Sequence, residues 1–386
     1  MTLSPAARLA QALIRCRSVT PADDGALPLV AARLSEAGFT VELLTFSEPG
    51  TPDVLNLFAK IGEGAPCFLF NGHTDVVPPG NVAAWRHDPF GGTVEEGRLY
   101  GRGACDMKGG VAAFVEAAVA HVHAHGAPKR GSIVLLLTGD EEGPAVNGTA
   151  KLLDWALARG ERFDAALVGE PTNPDRFGEM IKIGRRGSLT GDLTVHGTQG
   201  HVAYPQRADN PIPHLLRLLD GLLARPLDEG TAAFDPSNLE VVTVDTGNPS
   251  ANVIPAEARA RFNVRFNDLW SAETLRSELE TRLASVARGA RITLAFQPCN
   301  AHAFLTESGP CTAAVFDAVY AATGHNPTLS TSGGTSDARF IAPHAPVVEF
   351  GLVARAMHGI DEHLVISELD ALTAVYRTII EVMLRH

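Results

Sequence analysis

Residues 67–75, Cys-Phe-Leu-Phe-Asn-Gly-His-Thr-Asp, form an apolar run that ends at a turn-forming Asn-Gly pair and continues into polar residues. The pattern predicts a buried strand that runs out into a loop. Side chains alternate along a strand, so His73 and Asp75 can point the same way. Either one of them binds a metal ion while the other orients it, or the two form a buried hydrogen-bonded pair without metal.

Other ligand-type side chains also lie where predicted strands or helices end. They are Asp106 in the glycine-rich stretch 101–110, Glu141 and Glu142 after the apolar run 135–137, Glu170 after the run 166–168, and His358 in a loop near the end of the chain. Sites of α/β proteins gather at such ends, so we expect these side chains to meet. Two histidines and three carboxylates suit two zinc ions that share one carboxylate, and the alternative is an ion-pair network without metal. One carboxylate is then left over as a general base.

These residues resemble the M20-type family of dinuclear zinc aminopeptidases and deacylases. Four further motifs extend the likeness over nearly the whole chain. They are Gly-Arg-Arg-Gly-Ser-Leu at 184–189, Gly-Thr-Gln-Gly-His-Val-Ala-Tyr-Pro at 197–205, Asn-Val-Ile-Pro at 252–255 and Ser-Gly-Gly-Thr-Ser-Asp at 332–337.

The resemblance implies a ligand set for two Zn²⁺ ions per subunit, for which Co²⁺ can substitute. Asp106 would bridge the two ions. His73 and Glu170 would complete the protein ligands of one ion, and Glu142 and His358 those of the other.

The resemblance also implies three catalytic roles. Glu141 would be the general base, although Glu141 and Glu142 could exchange roles. Asp75 would fix the tautomer of His73. His201 would reach the site of a neighbouring subunit and stabilise the oxyanion; the alternative is a polar loop histidine.

Substrate carboxylates need positively charged or amide partners, because a net charge of −12 repels an acidic substrate at long range. Arginine suits bidentate carboxylate binding, and amides of a glycine-rich turn can bind an anion. The residues expected to bind the substrate are Arg186, Asn252, Arg265, Ser332, Gly333, Gly334 and Thr335. For Arg265, the alternative is a solvated strand face.

The expected reaction, again from the resemblance, is hydrolysis of the succinyl amide of N-succinyl-LL-2,6-diaminopimelate, a dicarboxylic small molecule of lysine and cell-wall biosynthesis. Another deacylase or carboxypeptidase of the family, such as an acetylornithine deacetylase, and a catalytically silent zinc-binding protein are the alternatives. One departure concerns Ala354, because many desuccinylases carry Asn four residues before the histidine that matches His358. A substrate hydrogen bond is then missing or is supplied by Arg355.

Composition narrows the class of protein. The 386 residues are 45% hydrophobic, which suits two domains with sizeable cores. The acidic balance argues against a nucleic-acid partner. The sequence has neither an apolar run of about 20 residues nor a pattern typical of a signal peptide, so we expect no membrane association and a bacterial cytoplasmic location.

The cysteines and the clustered histidines of this sequence are typical of structural positions rather than of a functional site. The five cysteines are scattered, which favours reduced packing thiols, including Cys105 beside Asp106. His121, His123 and His125 lie near a predicted helix end without a nearby carboxylate or cysteine, and we interpret them as a helix-end feature rather than a metal site.

The order of predicted elements indicates an α/β protein with an insertion. Residues 1–182 and 298–386 alternate strands and helices, which predicts a doubly wound, mainly parallel sheet that forms the catalytic domain. Residues 183–297 follow the order β-α-β-β-α-β of a ferredoxin-like domain. The resemblance implies that this insertion carries the contact of a homodimer and acts as a lid. The first and last helices are predicted from Met1 to Cys16 and from Ser367, with Ser367 and Asp370 in a capping box.

Overall fold

A computed structural model describes residues 2–384. The α-helices are α1 (Pro5–Arg15), α2 (Ala26–Glu36), α3 (Gly109–His125), α4 (Thr149–Ala158), α5 (Pro211–Leu223), α6 (Ala272–Val286), α7 (Pro310–Thr323), α8 (Ala338–Ile341) and α9 (Ile366–Met383). The strands are β1 (Thr40–Phe46), β2 (Val54–Glu63), β3 (Cys67–His73), β4 (Thr93–Glu95), β5 (Arg98–Tyr100), β6 (Gly131–Thr138), β7 (Ala165–Val168), β8 (Met180–Lys182), β9 (Gly184–Arg185), β10 (Gly187–His196), β11 (Gly200–His201), β12 (Asn238–Asp245), β13 (Val253–Ile254), β14 (Glu257–Phe266), β15 (Arg291–Phe296), β16 (Phe304–Leu305), β17 (Thr328–Ser330), β18 (Val347–Glu349) and β19 (His363–Val365). Short 3-10 helices at Val82–Ala84 and Pro205–Arg207 and a π-helical turn at Ala104–Lys108 complete the elements.

The chain forms two compact units. The first contains the described residues up to Ile183, the segment Thr306–Ser330, and those from Ser336 onward. The second contains Gly184–Leu305 and Thr331–Thr335. The sequence places the end of the insertion at 297, but the second unit continues to Leu305 because β16 pairs with β9.

The first unit is built on an eight-stranded sheet in the order β1-β2-β6-β3-β7-β18-β8-β17. The strands from β6 to β18 run parallel, while β1, β2 and β8 add antiparallel pairings. The predicted α/β sheet with parallel central strands is therefore confirmed. Because β6, β3 and β7 are parallel neighbours, His73 at the end of β3 lies opposite Thr138 at the end of β6. The loops after these strands leave the sheet at one edge.

Helix α3 lies in the core of the first unit and is buried on almost every side. The ring of Phe114 on this helix stacks on Phe70 of β3, with 3.9 Å between ring centroids. The Tyr376 hydroxyl of α9 donates a 2.6 Å hydrogen bond to the carbonyl oxygen of Phe350. A Cβ atom at Gly110 would collide with the carbonyl oxygen of Gly169, so glycine permits the close approach of α3 to the loop after β7.

The second unit has a four-stranded antiparallel sheet in the order β12-β14-β10-β15, with α5 and α6 packed beside each other. With the two helices, the sequence order is β-α-β-β-α-β, as predicted. Both helices begin at residues with capping side chains: Asn210 accepts from the amide of Ile212, and Ser271 forms a capping box with Thr274.

Asp228 organises a loop of the second unit. Its Oδ1 accepts hydrogen bonds from the amides of Gly230 (2.8 Å) and Ser237 (3.2 Å), and its Oδ2 accepts one from Trp270 Nε1 (2.8 Å). Partial burial raises the pKa of this carboxyl, but these hydrogen bonds outweigh burial and lower the pKa to about 2.

Of the two predicted terminal helices, the first begins at its predicted cap and the last does not. Helix α1 is confirmed over Pro5–Arg15 with Ser4 as its cap, while Met1 lies outside the described residues. The predicted Ser367 cap is wrong, because α9 begins at Ile366 after Val365, which makes no side-chain cap. Strand β19 leads directly into this helix, and the amide of Ile366 donates to the carbonyl oxygen of Gly97. Among residues 2–384, no helix has the length and apolar character needed to span a membrane.

Candidate active site

Asp106 lies at the centre of the candidate site, in the π-helical turn before α3. Its Oδ1 is 3.2 Å from Nε2 of His73, and its Oδ2 is 3.1 Å from Nε2 of His358. The peptide bond between Asp106 and Met107 is cis. The two oxygens of one carboxylate therefore face two different histidines, which is the arrangement of a carboxylate that bridges two ions.

Each histidine has a second carboxylate beside it. Nε2 of His73 is 3.8 Å from Oε1 of Glu170, and Nε2 of His358 is 2.8 Å from Oε1 of Glu142. The structure thus forms two groups that share Asp106, and within each group the three ligand atoms lie within 4.8 Å of one another. We call them the inner group (His73, Asp106, Glu170) and the outer group (Asp106, Glu142, His358). Imidazole and carboxylate donors at this spacing fit two divalent metal ions of zinc's class.

Asp75 links the inner group to the loop that carries the two glutamates. Its carbonyl oxygen lies 3.0 Å from Nδ1 of His73, and its Oδ1 lies 3.5 Å from the same nitrogen. The carboxylate also accepts hydrogen bonds from the amides of Glu141 (3.3 Å) and Glu142 (3.0 Å). Since both acceptors face Nδ1, a neutral His73 ring would carry its proton there and leave Nε2, which faces Asp106, for a metal ion.

The close packing of histidines and carboxylates in the two ligand groups shifts the pKa values of these side chains. Burial lowers the pKa of His73, but its hydrogen bonds with Asp106 and Asp75 outweigh burial and raise the pKa well above its usual value. Hydrogen bonds with Asp106 and Glu142 raise the pKa of His358 to about 10. Burial and neighbouring carboxylates raise the pKa of Glu170 well above its usual value.

Glu141 is not a member of either ligand group. Burial is the main cause that raises its pKa, to about 8, while His73 lowers it and the nearby Asp337 and Asp106 raise it. A carboxylate with a raised pKa is suited to accept a proton and to give it back near neutral pH. The structure therefore provides a candidate base beside, but separate from, the ligands.

Glu362 supports the loop that carries Asp106, and sequence reasoning did not assign it a role. Its carboxylate accepts hydrogen bonds from the amides of Gly103 (3.1 Å), Cys105 (3.1 Å) and Asp106 (3.4 Å). It also forms a buried 2.7 Å ion pair with Arg102. Its position four residues after His358 was visible, but the sequence gives no signal of which distant amides a carboxylate accepts from.

Asp140 supports the loop of Glu141 and Glu142 in a similar way. Its Oδ2 accepts hydrogen bonds of 2.9 Å from the amides of Val146 and Asn147. The sequence shows three consecutive acids at 140–142, and the structure separates them into a loop support, a candidate base and a candidate ligand.

In the second unit, the structure brings His201 and Asn252 together. His201 on β11 pairs with Val253 on β13, and the amide of Val202 donates to the carbonyl oxygen of Asn252. The amide of Ala203 donates a 3.1 Å hydrogen bond to Nδ1 of the exposed His201 ring. Because Nδ1 accepts this bond, a neutral ring carries its proton on Nε2 and can donate a hydrogen bond from there.

Arg186 and Arg265 also lie near each other in the second unit. Arg186 Nη1 donates a 3.0 Å hydrogen bond to Asn238, while its buried Nε has no hydrogen-bond partner in the described part of the chain. Burial and the charge of Arg186 lower the pKa of Arg265. Two partly buried guanidinium groups that repel each other favour an anion between them.

The predicted loop Ser332–Thr335 is contacted by a different arginine. Arg185, which the sequence did not single out, donates a 3.3 Å hydrogen bond from Nη1 to the carbonyl oxygen of Gly334. Gly333 has a φ of +102°, a left-handed conformation that favours glycine.

Arg355, which follows Ala354, is paired with an acidic side chain of the first unit. Arg355 Nη2 forms a 2.7 Å ion pair with Asp175 on the surface of the first unit. The amide of Ala354 donates to the carbonyl oxygen of Asn173. These contacts give Arg355 a partner within the chain and weigh against its use for a substrate.

Comparisons with known proteins agree with this geometry. Residues 69–382 match the sequence profile described as Peptidase family M20/M25/M40. The chain is similar to succinyl-diaminopimelate desuccinylases of Methylobacterium nodulans (63% identity, covering 98% of this chain and 96% of the relative) and Methylorubrum extorquens (62%, covering 97% of both).

Two solved structures share the fold at low sequence identity. One is a tripeptidase from Staphylococcus aureus, with a TM-score of 0.80, 17% identity and full coverage of both chains. The other is a dinuclear metal-binding peptidase from Bacillus subtilis, with a TM-score of 0.68, 16% identity, and coverage of 98% of this chain and 97% of the other.

Proposed function

The chain belongs to peptidase family M20/M25/M40, and on this premise we propose that it hydrolyses the succinyl amide of N-succinyl-LL-2,6-diaminopimelate. The products are succinate and LL-2,6-diaminopimelate, a precursor of lysine and of the cell wall. Relatives more than 60% identical over nearly the full length bear the name of this activity, which supports the substrate.

The observation that carries the reaction type is the position of Asp106 between two histidines. Its two oxygens face His73 and His358 at 3.2 and 3.1 Å, and each histidine has its own second carboxylate. We propose that the inner and outer groups each hold one Zn²⁺ ion, for which Co²⁺ can substitute. When bound, such ions polarise an amide carbonyl and make a water molecule acidic enough to attack it.

Glu141 moves the proton in this scheme. Its carboxylate takes a proton from the attacking water as the new C–O bond forms, and then delivers it to the amide nitrogen as the C–N bond breaks. Asp75 holds His73 and the amides of Glu141 and Glu142, so the base and the ligands keep a fixed geometry.

His201 is the proposed hydrogen-bond donor to the oxyanion. Its Nδ1 already accepts from the amide of Ala203, so the proton on Nε2 is available for the developing negative charge. By resemblance to the family, this donor acts on the substrate of a neighbouring protomer.

The carboxylates of the substrate are assigned to the second unit. Arg186 and Arg265 are close enough to repel each other and would gain from an anion between them. Asn252 and the Ser332–Thr335 loop provide polar side-chain and amide groups for the rest of the substrate.

We further propose a homodimer formed through the second unit. Strand β12 is an edge strand of its sheet, and Val242 and Val244 on it are 53% and 55% exposed. An edge strand with exposed apolar side chains is a surface to which a second chain can add a strand.

We also propose a cytoplasmic location. All five cysteines are free thiols, which supports this location.

The test is release of succinate from N-succinyl-LL-2,6-diaminopimelate by zinc-loaded protein. Metal-free protein and N-acetylornithine are the controls. Zinc-dependent, succinyl-selective hydrolysis is expected. Cleavage of acetylornithine alone would keep the reaction type and overturn the substrate.

A substitution at Glu141 tests the proposed base. Glu141→Gln should keep both zinc ions and lower kcat by about 10²- to 10⁴-fold, because the side chain keeps its shape but cannot take a proton. Metal content and kcat are measured on the same sample. Near-native turnover in this variant would refute the assignment of the base.

A further inference from the structure

A third cluster of ligand-type residues lies at the other end of α3. His121 and His125 are one helical turn apart on this helix, with 4.9 Å between ring centroids. Glu381 of α9 completes the cluster, and the three ligand atoms lie within 4.8 Å of one another. The sequence offered no carboxylate near these histidines, because Glu381 is distant along the chain and α9 brings it there.

We propose that His121, His125 and Glu381 form a third binding site, separate from the inner and outer groups, for a divalent transition-metal ion such as Zn²⁺. Two histidines at positions i and i+4 on one helix face, joined by a carboxylate from another element, provide the N and O donors that zinc prefers. Such an ion would tie the end of α3 to the end of α9.

The surroundings of the cluster favour a cation. Helix α3 ends at His125 and α9 ends at Met383, so the negative ends of two helix dipoles lie here. His121 is 8% exposed, and its buried Nδ1 has no hydrogen-bond partner among residues 2–384. One nitrogen of this ring therefore remains available to a partner from outside the chain.

Positive side chains near the cluster oppose the binding of an ion. Arg377 forms a 3.1 Å ion pair with Glu381 and is about half exposed. Lys129 and Arg130 line the same cavity and are exposed. A bound ion must compete with Arg377 for the carboxylate, so we expect weaker binding than in the inner and outer groups.

The proposed site is far from the candidate active site. Asp106 lies just before α3, and His121 and His125 lie in its last turns. At about 1.5 Å rise per residue, the length of the helix separates the two by roughly 20 Å. An ion at the end of α3 cannot share a ligand with Asp106.

The experiment counts metal ions on tag-free protein. Metal-free wild type, His125→Gln, Glu381→Gln and His123→Gln are equilibrated with Co²⁺ or Zn²⁺ by dialysis, and bound metal is measured by mass spectrometry. His123 is an exposed histidine of the same helix outside the cluster, which makes its variant a matched control. The expected result is one equivalent less in His125→Gln and Glu381→Gln than in wild type and His123→Gln, with affinity for that equivalent weakened by at least about tenfold.

The comparison of variants keeps this proposal separate from the proposed function. If the inner and outer groups bound no metal, the wild type would still hold one equivalent that His125→Gln loses. Equal metal content in all four proteins would overturn the third site, whatever the number of ions in the active site. His125 is exposed, and circular dichroism checks that its variant is folded.

Discussion

The inner and outer ligand groups share Asp106 but differ in their contact with solvent. The side chain of His73 is 1% exposed, whereas that of His358 is 44% exposed. His73 ends a central strand, and His358 lies in a loop with a left-handed φ of +58° that few non-glycine residues adopt. The comparison indicates that the inner group is part of the core, while the outer group depends on a histidine from a loop at the surface.

The largest effect is expected where the two groups meet. Asp106→Asn should abolish binding of both ions and all measurable hydrolysis, because the substitution removes the charge that each histidine and each ion faces. Metal content and succinate release are measured together. Retention of one tightly bound ion would show that the two groups are less dependent on the shared carboxylate than their geometry indicates.

A slightly smaller effect on metal binding is expected from Glu362, which supports the loop that carries Asp106. Glu362→Gln should lower the free energy of unfolding by about 3–5 kcal/mol, because it leaves the buried charge of Arg102 without a carboxylate partner. It should also weaken metal binding by about 10- to 100-fold, since the loop amides lose their charged acceptor. Chemical denaturation and metal titration check the two effects. Unchanged metal affinity in a folded variant would mean that the loop keeps its position without Glu362.

Matched substitutions of the two histidines sharpen the comparison itself. In metal-free protein, His73→Gln should cost about 2–3 kcal/mol of stability because its hydrogen bonds are buried, and His358→Gln less than about 1 kcal/mol. Each variant should lose one ion. In the wild type, the ion of the outer group should leave first when a chelator is added, as followed by stopped-flow absorbance. Simultaneous release of both ions would contradict the proposed difference.

The smallest effect on metal binding is expected in the second unit. Asp228→Asn should cost about 1–2 kcal/mol at neutral pH, because charged hydrogen bonds in a partly exposed loop are lost, and it should leave metal content unchanged. The pKa of Asp228 in the folded chain is about 2, below its usual value near 4. Its contribution is therefore present above pH 4 and disappears as the pH falls toward 2, so wild type and variant should converge in that range.

Fluorescence of Trp270, which donates to Asp228, follows this difference. A difference in stability between the two proteins that stays constant from pH 7 to pH 2 would contradict the role of the charge.

The sequence predicted much of the fold because local patterns were strong. Helices α5 and α6 begin directly after Asn210 and Ser271, which are capping residue types that can be recognised in the sequence. The cap at Ser367 was wrong because pairing of β19, a long-range contact, decides where α9 begins.

The grouping of the candidate ligand residues could also be predicted, because each lies near the end of a strand or helix or in a loop that is visible in the sequence. The contacts that hold loops and distant residues in place could not be predicted. Glu362 acts through amides more than 250 residues away along the chain, and Glu381 meets His121 only through the packing of α9 on α3. Local periodicity carries no information on such pairings.

The span of the ligand set along the chain has a consequence for biosynthesis. His73, Asp106, Glu142 and Glu170 all precede His358 by more than 180 residues along the chain. During translation, every donor of the inner group therefore leaves the ribosome well before the histidine of the outer group. We expect the two ions to be acquired in that order, with the outer group able to take its ion only after His358 has emerged.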